Sequence, residues 1–278
     1  MASITDCVVE GLKYPFTNIK KILGIGVLFA LVSALSTVIG IKSFDIFRMS
    51  IHLVENTNST VSQIPFSQLP AGDIYLVVGL SVISFIVGLF ILGYQYDVVK
   101  FSIDRKADLP GFNDIAGLLV RGIKYLIVTV AYYIIPVIVW TAGIAFTGDS
   151  SVFIIVSLIA GLLFIIAYFL MIMAVNNMVA YGSIKKAFDF REITDNIANL
   201  GWGKYIGIVL FTVIVMMIIS VAVGIILSFI TVAFAAVINN QAVIISIVIA
   251  IIEGLFIDSY MTVFFSRVCG SIYRESIK

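Results

Sequence analysis

Apolar residues run without a charge through five long stretches of the chain: Ile22–Ile41, Ile74–Tyr96, Tyr125–Gly148, Ser150–Ile184 and Tyr205–Ile252. A sixth continues past Glu253 and Asp258 to Ser266. About 20 apolar residues in a helix cross the roughly 30 Å hydrocarbon layer of a bilayer. Each of the first four runs suits one crossing, and the fifth is long enough for two. Asn239–Gln241 is the preferred turn within it, because three carboxamides buried in lipid would be left short of partners. A turn near Ser228, at the middle of the run, is the alternative. The pattern therefore predicts an all-α membrane protein, one integral domain over 1–278. Its spans lie at about 22–41, 74–95, 124–147, 151–177, 206–238 and 242–266. The first run exceeds the roughly 7–15 residues of a secretory apolar core, so it is read as a span and not a cleaved signal.

The segments between spans alternate in character. Gly148–Asp149 and Asn239–Gln241 are short, which predicts three helical hairpins. The segment 42–73 is longer and polar, and it is read as an outer loop. It carries the single histidine, His52, and Asn58-Ser59-Thr60, which fits the glycosylation acceptor pattern. On the other side, Ile184, Ala187, Phe188, Ile193, Ile197 and Leu200 recur at three- and four-residue steps, an amphipathic helix period over 184–200. Asp189 and Glu192 are placed to cap it. Phe112, Ile115, Leu118, Leu119 and Ile123 give a second such face over 110–123, and Val8–Lys21 a weaker third. These segments either lie in the membrane interface or pack on the spans as a cap. Gly93, Gly182 and Gly270 follow one another at near-equal spacing, which suggests three parallel units. Glycine is also the ordinary residue at helix ends.

Charge gives this pattern a direction. Of 17 basic residues, all but Lys42 and Arg48 fall in the N-terminal segment, in the loops after the second and fourth spans, or at the C-terminus. The positive-inside rule puts both termini in the cytoplasm, as an even number of spans also requires. The expected location is the cytoplasmic membrane. The expected partners are the bilayer and, at the inner basic residues, anionic lipid. The chain is 61% hydrophobic and 12% charged, against about 25% charged residues in soluble domains. Its net charge of +1 argues against a nucleic-acid partner. Cys7 and Cys269 are read as free thiols, since both fall on the reducing side.

Candidate chemistry is sparse. Glu253 lies far from either end of the sixth span, where an ionised carboxylate costs roughly 2.5–3.5 kcal/mol and should face other helices. Asp258 follows it, and Asn176, Asn177, Tyr132 and Tyr133 are possible hydrogen-bond partners. The group can be read as a proton or cation site, or as a protonated carboxyl that joins helices. Under the Ser228 alternative Glu253 sits at the interface as an ordinary helix-end charge. Pro136 interrupts the third span, and Trp140 and Trp202 suit the interfaces. Ser220, Gly224 and Ser228 form a small-residue stripe. A lone histidine gives no metal set, and no phosphate-binding or nucleophile-elbow motif occurs. No cofactor and no enzymatic activity are expected.

Several pieces occur in a familiar order: Lys13-Tyr14-Pro15-Phe16, Leu92-Gly93-Tyr94, Leu109-Pro110-Gly111-Phe112-Asn113-Asp114, Gly122-Ile123-Lys124 and Ala187-Phe188-Asp189-Phe190. Together they make the chain resemble a domain-of-unknown-function family, number 4013, of prokaryotic and largely archaeal multi-pass membrane proteins. The resemblance implies a six-span protein and brings no catalytic residue with it. The reading is a non-enzymatic scaffold or assembly component, with a small transporter using Glu253 as the alternative.

Overall fold

The computed structural model describes residues 3–57, 69–146, 150–237 and 242–277, and among them the regular structure is entirely helical. The α-helices in chain order are α1 Ile4–Lys13, α2 Ile19–Thr57, α3 Ala71–Ile103, α4 Ile115–Phe146, α5 Ser150–Tyr181, α6 Phe190–Leu200, α7 Trp202–Val237, α8 Ala242–Ile252 and α9 Ser259–Ser276. A π-helical segment, Glu253–Asp258, joins α8 to α9, and short 3-10 turns occupy Tyr14–Thr17 and Ile184–Phe188. Six helical stretches are long and apolar enough to cross a membrane: Ile19–Val54, Ala71–Ile103, Ile115–Ala145, Ser151–Tyr181, Trp202–Phe234 and Val243–Ser276. Their number and order are those expected from the sequence.

Several boundaries differ from the expectation. Residues 42–57, read as part of a loop, continue α2, since they hold no Pro or Gly to stop it. The segment 110–123 is not a separate amphipathic helix. Only its first residues are irregular, and from Ile115 it is the opening of α4. No breaker separates it from the span that follows. In contrast, 184–200 does stand apart, as a 3-10 turn followed by α6. Ser228 lies inside α7, where its hydroxyl donates to the Gly224 carbonyl, so the helix does not turn there. The turns expected at Gly148–Asp149 and Asn239–Gln241, and the Asn58 tripeptide, lie outside the described residues.

The residues fall into two compact units. The first comprises Met1–Ile22, Leu92–Ile218 and Met261–Lys278. It holds the largest fully buried side chains, among them Tyr94, Tyr205, Phe264, Met173 and Met178. Within it α4 packs along α5, and α6 and the Ile184–Phe188 turn pack on α5. Ile193, Ile197, Leu200 and Ala187 are buried there, so the apolar face of α6 is turned into protein. The amphipathic segment is thus a cap packed on a span. Gly93 and Gly270 sit inside α3 and α9 at points of close approach. A Cβ on Gly93 would strike the Leu118 backbone, and one on Gly270 would meet Ser102 and Val99. Gly182, with φ 67°, instead ends α5.

The second unit comprises Leu23–Ile91 and Ile219–Tyr260. There α2 meets the π-helical segment through two glycines, Gly26 against the Leu255 backbone and Gly254 against the backbone of Phe29 and Ala30. Apolar side chains gain little by leaving lipid for protein, so helices in a membrane associate where small residues let backbones approach. Ser33 Oγ donates to Asp258 at 3.3 Å across the same contact. The stripe Ser220, Gly224 and Ser228 is exposed, with open space at Gly224, and does not serve as a packing face within the unit.

A Cβ at position 254 would lie 2.7 Å from the Phe29 carbonyl carbon. Gly254→Val is therefore expected to lower stability by about 1–3 kcal/mol, the cost of overpacking. Gly79→Ala, where nothing lies within 4 Å, should leave it unchanged or slightly raise it. Thermal melting of both variants in detergent checks the pair.

Candidate functional site

The densest polar construction among the described residues lies in the first unit and begins at α1. Ser3 and Asp6 form a reciprocal capping box that starts this helix. One face buries Cys7, Val8 and Gly11. Gly11 is seated on Phe264 and Val268 of α9. That seat brings Glu10 to two arginines of α9. Its Oε1 accepts from Arg267 Nη2 at 2.6 Å and Nε at 3.0 Å, and its Oε2 accepts from Arg274 Nη2 at 2.8 Å. Arg267 is only 5% exposed. Its remaining donor capacity goes to the Lys106 carbonyl at 2.8 Å, and its guanidinium lies 4.1 Å from the centre of the Tyr14 ring. Arg274 also donates to the Ser102 carbonyl at 3.3 Å. Burial pushes the Glu10 carboxyl up, but the Arg274 hydrogen bond and the two guanidinium charges outweigh it and hold it below its ordinary value. Burial drives the Tyr14 phenol up to about 12, against the opposing charge of Arg267.

Tyr14 passes the network on to the segment that precedes α4. Its hydroxyl donates to the Asp108 carbonyl at 2.7 Å, and Lys21 binds the Asp108 carboxylate at 2.6 Å and the Leu109 carbonyl. Leu109 is fully buried. Tyr94 donates to the Pro110 carbonyl at 3.3 Å, and its ring stacks on Phe112 at 4.9 Å. Asp114 caps α4 by accepting from the Gly117 amide, and Arg121 bridges Asp114 and Asp97. The Leu-Pro-Gly-Phe-Asn-Asp stretch thus acts through the carbonyls of Leu109 and Pro110, the ring of Phe112 and the carboxylate of Asp114.

Asn176 and Asn177 sit in the same unit, both fully buried. Asn176 Nδ2 donates to the Cys269 carbonyl at 2.9 Å, while its Oδ1 is buried with no partner among the described residues. Asn177 Nδ2 donates to the Lys186 carbonyl and its Oδ1 accepts from Tyr273, both at 2.9 Å. Tyr132 donates to the Ala187 carbonyl at 2.6 Å. Lys186 pairs with Asp189 and Glu192, and Asp189 caps α6 by accepting from the Glu192 amide. The Lys186 hydrogen bond holds the Asp189 carboxyl below its usual value. These bonds fix the Ile184–Phe188 turn and the start of α6.

The four residues singled out in the sequence divide between the two units. Glu253 and Asp258 belong to the second unit, Asn176 and Asn177 to the first. Glu253 is exposed at the head of the π-helical segment, and Asp258 is engaged by Ser33. Tyr132 and both asparagines bind elements of the first unit. Glu10, Arg267 and Arg274 were not singled out. Only their charge was visible, because Glu10 and Arg267 are 257 residues apart. Cys7 and Cys269 are both free and buried. Among the described residues no group of three or more His, Cys, Asp or Glu is placed to hold a metal ion.

A family model described as protein of unknown function (DUF4013) matches residues 76–228, more than half of the chain. An uncharacterized protein of Methanocaldococcus jannaschii is 27% identical, aligned over 99% of this chain and 98% of its own length. A second uncharacterized protein of the same organism is 26% identical over 95% of this chain and 94% of its own. No solved structure matches.

Glu10→Gln removes the charge that offsets Arg267, and is expected to cost about 3 kcal/mol at neutral pH, the low end for breaking a buried pair. The folded-state pKa of Glu10 lies below its unfolded value of about 4.3. Its contribution is therefore present above that pH and lost as pH falls through the folded value. Melting temperatures at pH 7 and pH 3 should show a smaller acid-induced drop for Glu10→Gln than for wild type. An equal drop would contradict the assignment.

Proposed function

We propose that this chain, which belongs to the DUF4013 family of proteins of unknown function, is a non-enzymatic scaffold of the cytoplasmic membrane. The observation that carries the reading is how the charges of the first unit are used. Glu10 pairs with Arg267 and Arg274, Lys21 with Asp108, Arg121 with Asp97 and Asp114, and Lys186 with Asp189 and Glu192, while Arg267, Arg274 and Lys21 also bind backbone carbonyls. They hold α1, the segment before α4 and α6 in fixed positions. Such an arrangement builds a rigid surface on membrane spans, with its ion pairs engaged structurally.

The orientation follows from where the cations lie. Every basic residue except Lys42 and Arg48 belongs to the first unit. By the positive-inside rule this supports placing the basic segments before α4 and around α6, and both chain termini, in the cytoplasm. The packing of α4 along α5 supports the middle of three hairpins. The rival reading, an ion path through Glu253, predicts a carboxylate enclosed by helices. The exposure of Glu253 favours the scaffold.

Two measurements test these statements. Ala107→Cys and Ala198→Cys, both at exposed positions, should resist a membrane-impermeant maleimide in intact cells and react in inverted vesicles. Ala71→Cys should do the reverse. Labelling of the Ala107→Cys variant from outside would invert the topology. Proton and cation flux into proteoliposomes should stay at the empty-liposome background for wild type and Glu253→Gln alike. Flux above background that falls in Glu253→Gln would overturn the scaffold in favour of a transporter.

A further inference from the structure

We propose that the first unit holds one hydrocarbon chain of an anionic phospholipid in a groove between α4 and α5. This goes beyond the scaffold reading and rests only on α4 and α5 being membrane spans. The groove has a volume of about 210 Å³, with Tyr132 and Pro136 on the α4 wall, Leu163 and Ala167 on the α5 wall, and Phe188 and Phe190 closing one end. Its origin is local. Alanines at 131 and 167 leave room where larger side chains would meet, and the packing of α6 brings the two phenylalanines to the end of the gap. The Tyr132 ring is fixed there by its bond to the Ala187 carbonyl and by stacking on Phe188.

The surroundings select the occupant. Both walls are helices that cross the hydrocarbon layer, and Ile135 and Ile166 at the groove are 61% and 47% exposed. Water would find few partners on this lining, since a cavity holds water only where two or more polar groups converge. Left empty, the lining would forfeit its dispersion contacts. The volume exceeds the roughly 150 Å³ of an apolar cavity that accommodates benzene, so several methylenes fit.

Charge selects the headgroup. The two phenylalanines that close the groove belong to the segment that follows Tyr181 and packs back on α5. Lys185 and Arg191 bracket Phe188 and Phe190 in sequence and are exposed. Lys186 engages both Asp189 and Glu192, a group that carries one net negative charge. With the exposed cations Lys185 and Arg191, residues 185–192 carry a net charge of +1, which suits a phosphate with no compensating cation.

Native mass spectrometry tests this on the full chain released from nanodiscs of equal phosphatidylglycerol and phosphatidylcholine. Wild type is expected to retain one phosphatidylglycerol. Ala167→Phe and Ala131→Leu fill the groove from opposite walls. Each should reduce the retained lipid about tenfold or more, in keeping with the loss of several buried methylenes. Melting temperature shows which variants remain folded, and either one alone suffices. Lys185→Gln combined with Arg191→Gln leaves the groove open and should retain both lipids equally. The proposal fails if wild type retains no lipid, if it retains both lipids equally, or if retention survives in a folded groove-filling variant.

Discussion

The pairing of Glu10 with Arg267 is the contact on which the first unit depends. A guanidinium that is 5% exposed bears a large desolvation penalty, and removing its partner leaves that penalty uncompensated. Here compensation comes from a carboxylate on α1, the carbonyl of Lys106 and the ring of Tyr14. Glu10 and Tyr14 belong to α1 and the turn that follows it, and Lys106 to the segment before α4, so satisfying one buried charge on α9 ties two other segments to it. Gly11 makes this possible, because the seat of α1 on α9 leaves no room for a side chain at that position.

The same logic recurs at smaller cost elsewhere in the unit. Carbonyls outside regular helices cannot be left bare in an apolar environment. Those of Asp108, Leu109, Pro110, Lys186 and Ala187 are met by Tyr14, Lys21, Tyr94, Asn177 and Tyr132. Tyrosine suits this role, since its ring packs while its hydroxyl reaches a carbonyl. The second unit relies on a different means. It brings the backbones of α2 and the π-helical segment together through Gly26 and Gly254. Close packing of small residues does there what hydrogen-bonded tyrosines do in the first unit.

Some of this could be read from the residues and some could not. The six spans were legible because lipid imposes a length and a composition on any crossing helix. The α6 segment was legible because a buried stripe repeats at helical spacing. The end of α2 was misplaced at Ile41, since polar residues suggested a loop although none of them breaks a helix. The candidate polar site was drawn from intramembrane residues alone. Asn176 and Asn177 are buried polar links, whereas Glu253 is exposed and the main ion cluster joins Glu10, which no local pattern marks, to Arg267 and Arg274.

Hydropathy along the chain thus determined the number and order of the helices long and apolar enough to cross a membrane, because these depend on each segment's own transfer from water to lipid. Which charges are buried, and what satisfies them, was decided by tertiary structure alone. Glu10 meets Arg267 across 257 residues. That partnership depends on how Gly11 fits against Phe264 and Val268, a matter of shape between distant segments that no local pattern encodes.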